Sequence, residues 1–220
     1  MKYECDIILL GQCKNGTTTI RDAVREIVIS AGGEARRTGW FGNEVMVGEK
    51  HPNRETMEKY KEWVNKYDEP FNIIHDDPVP FYYKEFYNYF GPDAKYILSY
   101  RNEDEWFDSF LYAFQALTGK YNIKRHLYPL DDEILYGLEA SREQIIKLYL
   151  TQNQKITNFF KDKPNFLSLN IDEFKNNSHK ENWCTLFDFL GVEYDDEVIN
   201  KDFLHLRSSF SGGSKERNKR

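Results

Sequence analysis

The stretch IILLGQCKNGTTTI, residues 7–20, contains an apolar run that stops at a glycine and a turn-rich segment that leads into a helix. This order predicts a buried strand, a phosphate-binding loop and a helix. A nucleoside-triphosphate loop has the form GxxxxGK[ST], with its lysine reaching the terminal phosphates. Gly11 and Gly16 have that spacing, but Thr17 stands in the lysine position and the lysine of the loop is Lys14. The loop therefore suits one phosphate with a group transferred from it.

The same loop offers donors to such a phosphate. Backbone N–H groups of residues 14–19 can surround an anion, and the positive end of the following helix favours it. The hydroxyl groups in the loop add further donors. The expected ligand-binding residues of the loop are Lys14, Asn15, Gly16, Thr17, Thr18 and Thr19.

Length, composition and charge restrict the kind of protein. With 220 residues and a mass of 26.2 kDa, the chain suits one domain over residues 1–211, followed by the tail 212–220, whose basic, glycine-containing composition is typical of disorder. The net charge of −6 argues against nucleic acid or an anionic membrane as partner. Three cysteines without CxxC spacing predict neither a disulfide framework nor a metal site. No leader or membrane-spanning run is visible, so a soluble cytoplasmic protein is expected.

Short apolar runs alternate with amphipathic stretches along the chain. This pattern predicts an α/β fold in which helices flank a central parallel sheet, with the strand-to-helix loops gathered at one edge. Residues 34–38 are a weak further strand, and residues 119–137 are expected to be an irregular insertion. The predicted strands are 6–10, 71–75, 94–100 and 165–171, and the predicted helices are 17–31, 80–90, 103–117, 139–160 and 180–191.

A second motif lies in YILSYRNEDEWFDSF, residues 96–110. Arg101 closes a strand, and Ser109 follows eight residues later on the next helix. Asn102 is placed to cap that helix, with Glu105 completing an arrangement similar to a capping box. A planar guanidinium donates two charge-assisted hydrogen bonds to a phosphate. The alternative is that Arg101 pairs with an acidic residue of the first helical turn, either Glu103 or Asp104.

Together, the two motifs resemble those of the sulfotransferases that use 3′-phosphoadenosine 5′-phosphosulfate (PAPS). KNGTT resembles the family's 5′-phosphosulfate loop, whose pattern is close to PKSGTT, with Cys13 in the usual proline position. Arg101 and Ser109 match the family's 3′-phosphate motif. The resemblance covers most of residues 5–192 and includes PDAK, followed later by FLSLNIDEF and WCTLFDFLG. It implies a P-loop-like fold, transfer of a sulfuryl group from PAPS to a hydroxyl or amine, and 3′-phosphoadenosine 5′-phosphate (PAP) as product.

The resemblance also implies roles for residues outside the two motifs. A tyrosine near the start of the family's long penultimate helix contacts the adenine, and Tyr149 falls about there, although the helical pattern would as readily place it in the core. A C-terminal loop closes over the 3′-phosphate in the family, and here the adjacent Arg-Lys pair of that loop is missing. The candidate residues for this role are Arg207, Lys215 and Arg217.

Catalysis requires neutralisation of charge on the departing phosphate and a base for the acceptor. Lys14 is expected to neutralise the phosphate side without a metal. In one branch of the family this strand ends in Lys-x-His, and the His is the base. The corresponding residues in HDDP, residues 75–78, are His75 and Asp77, so the basic His is absent here. The remaining candidates for the base are Asp76 and Asp77, and His75, if protonated, could stabilise the sulfuryl group. These carboxylates could equally form a turn before Pro78. Glu44 is a rival base.

The acceptor is expected to be a small molecule or a glycan, in a pocket built by the loops 38–56 and 119–137. Five aromatic residues could line that pocket by stacking, although core packing explains aromatics more often. These residues are Trp40, Phe41, Phe81, Tyr82 and Tyr83. Two alternatives remain: a nucleotide-dependent small-molecule kinase, and an inactive member that binds PAP or PAPS.

Overall fold

A computed structural model describes residues 5–30, 71–75, 79–117, 141–175 and 179–199 of the chain. Within these ranges the order of strands and helices is the one that the sequence predicts. Two 3₁₀ segments and a short last helix add to it. The strands are β1 Cys5–Leu9, β2 Phe71–Ile74, β3 Lys95–Tyr100 and β4 Phe166–Asn170. The helices are α1 Thr17–Ser30, α2 Tyr83–Phe90, α3 Glu103–Leu117, α4 Arg142–Phe160, α5 His179–Leu190 and α6 Asp196–Ile199. The 3₁₀ segments are Val79–Phe81 after β2 and Ile171–Lys175 after β4.

The four described strands form one parallel sheet in the order β2-β1-β3-β4. In this sheet Ile7 pairs with Ile73 and Ile8 pairs with Tyr96, so β1 has a neighbour on both sides. Because the strands are parallel, their carboxyl ends meet at one edge of the sheet, where ligands of open α/β folds bind. The loop after β1, His75, Arg101 and the 3₁₀ segment after β4 all lie along this edge. The predicted α/β fold with a parallel sheet is therefore confirmed.

Helices cover both faces of the sheet, because the consecutive apolar residues 7–10 in and after β1 point alternately to its two faces. Ile7 and Leu9 face a cluster that includes Ile20 of α1 and Phe187 of α5. On the opposite face a second cluster brings Ile8 and Leu10 together with residues of α2 and α4, among them Phe86, Ile156 and Phe160. β1 is consequently enclosed from both sides, and the loop that follows it starts from a buried support.

A third, smaller cluster lies between α3 and α4. It consists of Trp106, Phe107, Phe110 and Tyr149, and the partly buried Cys13 of the β1–α1 loop packs against it. This cluster therefore joins the two helices to the loop at the edge of the sheet.

Side-chain caps fix the starts of both helices that carry this cluster. Ser141 and Gln144 form a capping box at the start of α4. At α3, Asn102 Oδ1 accepts hydrogen bonds from the N–H groups of Asp104 at 3.0 Å and Glu105 at 3.4 Å, which confirms the predicted cap. The capping-box role that the sequence suggested for Glu105 is wrong, because Asp172 Oδ2 accepts the hydrogen bond of the Asn102 N–H at 2.6 Å and Glu105 instead contacts Arg101.

Several expectations fall on residues outside the described ranges: the weak strand 34–38, the insertion 119–137 and the tail 212–220. Of the helices in the described ranges, none combines the length and apolarity needed to cross a bilayer. The same ranges contain no group of three or more His, Cys, Asp or Glu side chains placed to hold a metal ion.

Candidate active site

The β1–α1 loop begins where the chain passes very close to β3. A Cβ atom on Gly11 would lie 2.1 Å from Ser99 Oγ and 2.8 Å from Ser99 O. A side chain at Gly11 would therefore force Ser99 to move. The first glycine of the loop is therefore required by the approach of two neighbouring strands at the edge of the sheet.

Two residues of the loop adopt positive φ angles, Lys14 at 70° and Gly16 at 73°. A lysine in this left-handed region is strained by about 1–2 kcal/mol relative to an ordinary helical conformation. The backbone N–H of Asn15 donates to Gln12 O at 3.1 Å and closes the turn that holds this conformation. The loop thus keeps its only lysine in an unfavourable backbone conformation, which is typical of functional positions.

α1 begins directly after the loop. The first helical hydrogen bond runs from the Ile20 N–H to Gly16 O at 3.0 Å, so the amides of residues 17–19 have no intrahelical acceptor. These amides and the positive end of the helix can bind an anion. The loop is therefore suited to the single phosphate that the sequence indicates.

Thr17 occupies the position of the lysine in nucleoside-triphosphate loops. Its side chain is buried with 2% exposure, and its Cγ2 would lie 3.1 Å from a Cβ on Gly11. The Thr17 side chain is therefore enclosed by neighbouring protein atoms. The positive charge of the loop comes from the half-buried Lys14.

Side chains from α3 and α4 hold the loop in place. Gln12 is fully buried and its Nε2 donates to Tyr149 O and to Asn153 Oδ1, each at 3.1 Å. Trp106 Nε1 donates to Cys13 O at 3.0 Å. These hydrogen bonds connect consecutive loop residues to two different helices.

Arg101 lies at the end of β3, next to the strand that carries the loop. Its guanidinium Nη2 contacts Glu105 and lies 3.3 Å from Asp172 Oδ1, and its side chain is 15% exposed. The alternative that Arg101 pairs with an acidic residue of the first helical turn named the wrong residues. Asp104 pairs with Arg142, and the ion-pair partners of Arg101 are Glu105 and Asp172. Nε of Arg101 is buried and has no hydrogen-bond partner in the described part of the chain.

Ser109 lies on α3, eight residues after Arg101, and is half-buried. Its position in the helix matches the expected one. Its role in binding a phosphate together with Arg101 remains a prediction.

Tyr149 connects the two motifs through its hydroxyl group. Its hydroxyl proton is shared between Asn15 Oδ1 at 3.0 Å and Arg101 O at 3.1 Å, and its oxygen accepts from the Arg101 N–H at 3.0 Å. The ring stacks on Trp106 with centroids 4.1 Å apart and planes 11° apart. Burial raises the pKa of the Tyr149 hydroxyl above its ordinary value. With 1% of the residue exposed, this position favours a structural role over the adenine contact that the resemblance implies.

His75 follows β2 and is buried against α1. Arg21 Nη1 lies 3.2 Å from His75 Nε2, and a guanidinium nitrogen can only donate in such a contact. Arg21 is held in turn by Asp22 Oδ1, with Nε at 2.8 Å and Nη2 at 2.6 Å. The role of His75 in stabilising a sulfuryl group stays a prediction.

Of the aromatic residues expected to line an acceptor pocket, Tyr82 and Tyr83 are buried in the sheet-facing core. Tyr83 packs edge-to-face on Phe159 at 5.3 Å between ring centroids. For these two the structure shows core packing, the commoner role of aromatics, and Phe81 packs partly buried against the same cluster. The other expected residues lie outside the described ranges: Trp40, Phe41, Glu44, Asp76, Asp77, Arg207, Lys215 and Arg217.

Sequence reasoning missed Gln12, Trp106, Asp172 and Arg21 as parts of this site. Asp172 carried an available signal, because it follows β4 and the ends of parallel strands meet at one edge. Gln12 and Trp106 form hydrogen bonds to residues far away in sequence, and no spacing in the sequence predicts such contacts.

The family of the chain follows from comparison with known proteins. The family described as the sulfotransferase domain matches residues 6–201. The chain belongs to the sulfotransferase family. Comparison with curated proteins gave no significant match.

Solved structures agree with this membership at the level of the fold. The sulfotransferase is similar to the sulfotransferase domain of the Synechococcus PCC 7002 olefin synthase, with a TM-score of 0.53 and 15% identity over 91% of this chain and 78% of that one. It is also similar to retinol dehydratase in complex with androsterone and the inactive cofactor PAP, with a TM-score of 0.50 and 13% identity over 92% of this chain and 64% of that one. The sulfotransferase fold and sulfuryl transfer are therefore the confirmed part of the sequence interpretation.

Proposed function

We propose that this sulfotransferase takes its sulfuryl group from PAPS and transfers it to a hydroxyl or amine of a small molecule or glycan. The observation that supports this proposal is the adjacency of two phosphate motifs. The 11–19 loop and Arg101 follow β1 and β3, which are neighbours in the sheet. When bound, PAPS supplies an activated sulfuryl group at its 5′ end and a second anionic group at its 3′ end.

The residues of the loop fit the 5′ end. The N-terminal amides of α1 offer hydrogen bonds that are already oriented, so little reorganisation accompanies charge development. Lys14 contributes a positive charge in a turn closed by the Asn15–Gln12 hydrogen bond. In the proposed reaction Lys14 stabilises negative charge on the departing phosphate.

Arg101 and Ser109 fit the 3′ end. The guanidinium is anchored near the sheet edge by Asp172, and its buried Nε has no protein acceptor in the described part of the chain. An arginine with donors left over can bind a phosphate in a forked arrangement. Ser109 would add a hydroxyl from α3.

The base that deprotonates the acceptor is proposed to be Asp76 or Asp77. His75 is a weaker candidate because its Nε2 faces Arg21. Asp76→Asn and Asp77→Asn should separate the two carboxylates, since the base variant loses turnover while PAP binding persists. Full turnover in both variants would exclude both carboxylates and favour Glu44.

The decisive experiment is calorimetric titration with PAP, compared with ATP in the presence and absence of magnesium. The proposal predicts magnesium-independent binding of PAP that is weakened in Arg101→Ala. Preferential binding of ATP with magnesium would contradict it and favour a kinase. PAP binding without turnover over a broad acceptor panel would indicate an inactive member.

A further pair of variants tests the assignment of roles. Lys14→Ala should chiefly lower turnover, because its charge matters most while negative charge develops on the departing phosphate. Arg101→Ala should weaken PAP binding with a smaller effect on turnover at saturation. Equal loss of affinity and unchanged turnover in both variants would contradict these roles.

A further inference from the structure

We propose that Tyr149 is a positioning residue that sets the register between the two phosphate-binding motifs. This inference rests on the proposed binding of a 3′-phosphorylated adenosine nucleotide. It assigns to Tyr149 a task distinct from contact with the adenine.

The hydroxyl of Tyr149 contacts both motifs at once. On one side it lies 3.0 Å from Asn15 Oδ1, in the β1–α1 loop. On the other it lies 3.0 Å from the N–H and 3.1 Å from the C=O of Arg101. Because the second contact is to the backbone, it holds the end of β3 without engaging the Arg101 guanidinium.

The ring of Tyr149 cannot move independently of the loop. It stacks on Trp106, and Trp106 Nε1 donates to Cys13 O at 3.0 Å. The backbone oxygen of Tyr149 accepts a hydrogen bond from Gln12 Nε2 at 3.1 Å. Three residues of the loop, 12, 13 and 15, are therefore connected to the helical turn and the ring that contact Arg101.

This connection matters because a bound nucleotide has two anionic ends at a fixed separation. Each end gains full affinity only if the other is already held in the matching position. Asn15 is the loop residue whose side chain contacts Tyr149. It is fully buried, and its Nδ2 has no hydrogen-bond partner in the described ranges. Its orientation therefore depends strongly on the Tyr149 contact.

The test measures how much the 3′-phosphate adds to affinity. The dissociation constants of PAP and of adenosine 5′-phosphate are determined by calorimetry, and their ratio gives the gain due to the 3′-phosphate. Tyr149→Phe keeps the ring and removes the hydroxyl. We expect this variant to reduce the gain by about three- to tenfold, the equivalent of one hydrogen bond.

Tyr96→Phe is the matched control. Tyr96 is also fully buried, and its hydroxyl also donates to a backbone oxygen, that of Gly91 at 3.0 Å, away from both motifs. It should lose comparable stability while the gain stays at the wild-type value. An unchanged gain in Tyr149→Phe, or an equal loss in Tyr96→Phe, would overturn the inference.

Asn15→Ala provides a second route if Tyr149→Phe does not fold. It removes the loop side of the connection without touching Arg101, and we expect the same reduced gain from the 3′-phosphate. A normal gain in Asn15→Ala would also refute the inference. Failure of the wild-type protein to bind PAP at all would instead refute the proposed function.

Discussion

Arg101 and Asp172 form an ion pair, 3.3 Å between Nη2 and Oδ1, that connects the carboxyl end of β3 to the segment after β4. Asp172 also accepts a hydrogen bond from the Asn102 N–H, so one carboxylate orients both the guanidinium and the first turn of α3. Glu105 contacts the same guanidinium nitrogen from the exposed surface of that helix. The phosphate that we propose for this site would therefore meet an arginine already partnered by two carboxylates.

Glu105→Gln should bind PAP more tightly than the wild-type protein. Glu105 is half exposed, and it is the partner that a 3′-phosphate can displace, whereas Asp172 is also held by backbone. Removing one competing charge at a solvent-exposed pair is expected to strengthen binding by about two- to fivefold, measured by calorimetry at low ionic strength.

Glu103→Gln is the control for this effect, because it removes the same charge from the same helical turn. Glu103 is not among the ion-pair partners of Arg101 in the described part of the chain. Equal gains in affinity for the two variants would show that only the net charge matters, and the specific competition would then be refuted.

Lys14→Gly should be more stable than Lys14→Ala. Both variants lose the ammonium group, but only glycine accepts the positive φ of 70° without strain. The expected difference in the free energy of unfolding is roughly 0.5–1 kcal/mol, after allowance for the greater freedom of glycine in the unfolded chain. Both variants should lose turnover. Urea unfolding measures the difference, and equal stabilities would mean that the strain is relieved elsewhere.

Gly11→Ala should be strongly destabilised, because its Cβ would lie 2.1 Å from Ser99 Oγ. The cost is expected to be about 2 kcal/mol or more, as for other overpacked sites. Gly191→Ala is the control, since Gly191 ends α5 with a φ of 69° but has open space around its Cβ position. It should cost only about 1 kcal/mol. Similar thermal stabilities for the two variants would contradict the close approach.

Ser99→Ala should partly restore Gly11→Ala. The Ser99 hydroxyl is buried and has no hydrogen-bond partner in the described residues, so its removal costs little by itself. In the double variant the contact with Oγ is gone, while the contact with Ser99 O at 2.8 Å remains. A double variant no more stable than Gly11→Ala would show that backbone contact dominates.

Alkaline unfolding should depend on Tyr149. Burial raises the pKa of its hydroxyl in the folded state, so the unfolded chain loses this proton first, near the ordinary tyrosine pKa of about 10. The contribution of Tyr149 to stability is therefore complete below about pH 10 and declines as the pH rises toward the folded-state pKa. Tyr149→Phe should lose stability less steeply than wild type between about pH 10 and 11, by urea unfolding. Identical slopes would contradict this.

The elements of the fold were predictable because their local signals agree with their tertiary environment. The apolar run before Gly11 is buried on both faces, and the periodicity of α4 matches its packing beside the sheet. Strand and helix limits differ by a few residues, as for the helix predicted at 139–160 and observed at Arg142–Phe160. Propensity alone does not fix the ends, because caps such as Ser141 do.

The motif positions of the site were predictable, but its side-chain network was not. Lys14 and Arg101 were identified from spacing, since backbone geometry ties them to strand ends. Tyr149 was placed in the correct helix, yet its hydrogen bonds depend on how α4 packs over the loop, 134 residues away from Asn15 in sequence. His75 was identified at a strand end, and only the structure shows the Arg21 guanidinium beside it.

The central position of β1 has a consequence for the motions of the protein. Its residues Ile7, Ile8 and Leu9 are completely buried and the strand is hydrogen-bonded on both edges. Amides in such a strand exchange with solvent only through the largest opening events. The β1–α1 loop is thus attached to a strand that we expect to open only in these events. If PAP binds as we propose, the exchange rates of the loop amides with and without PAP can be compared with those of the β1 amides, which serve as an internal standard.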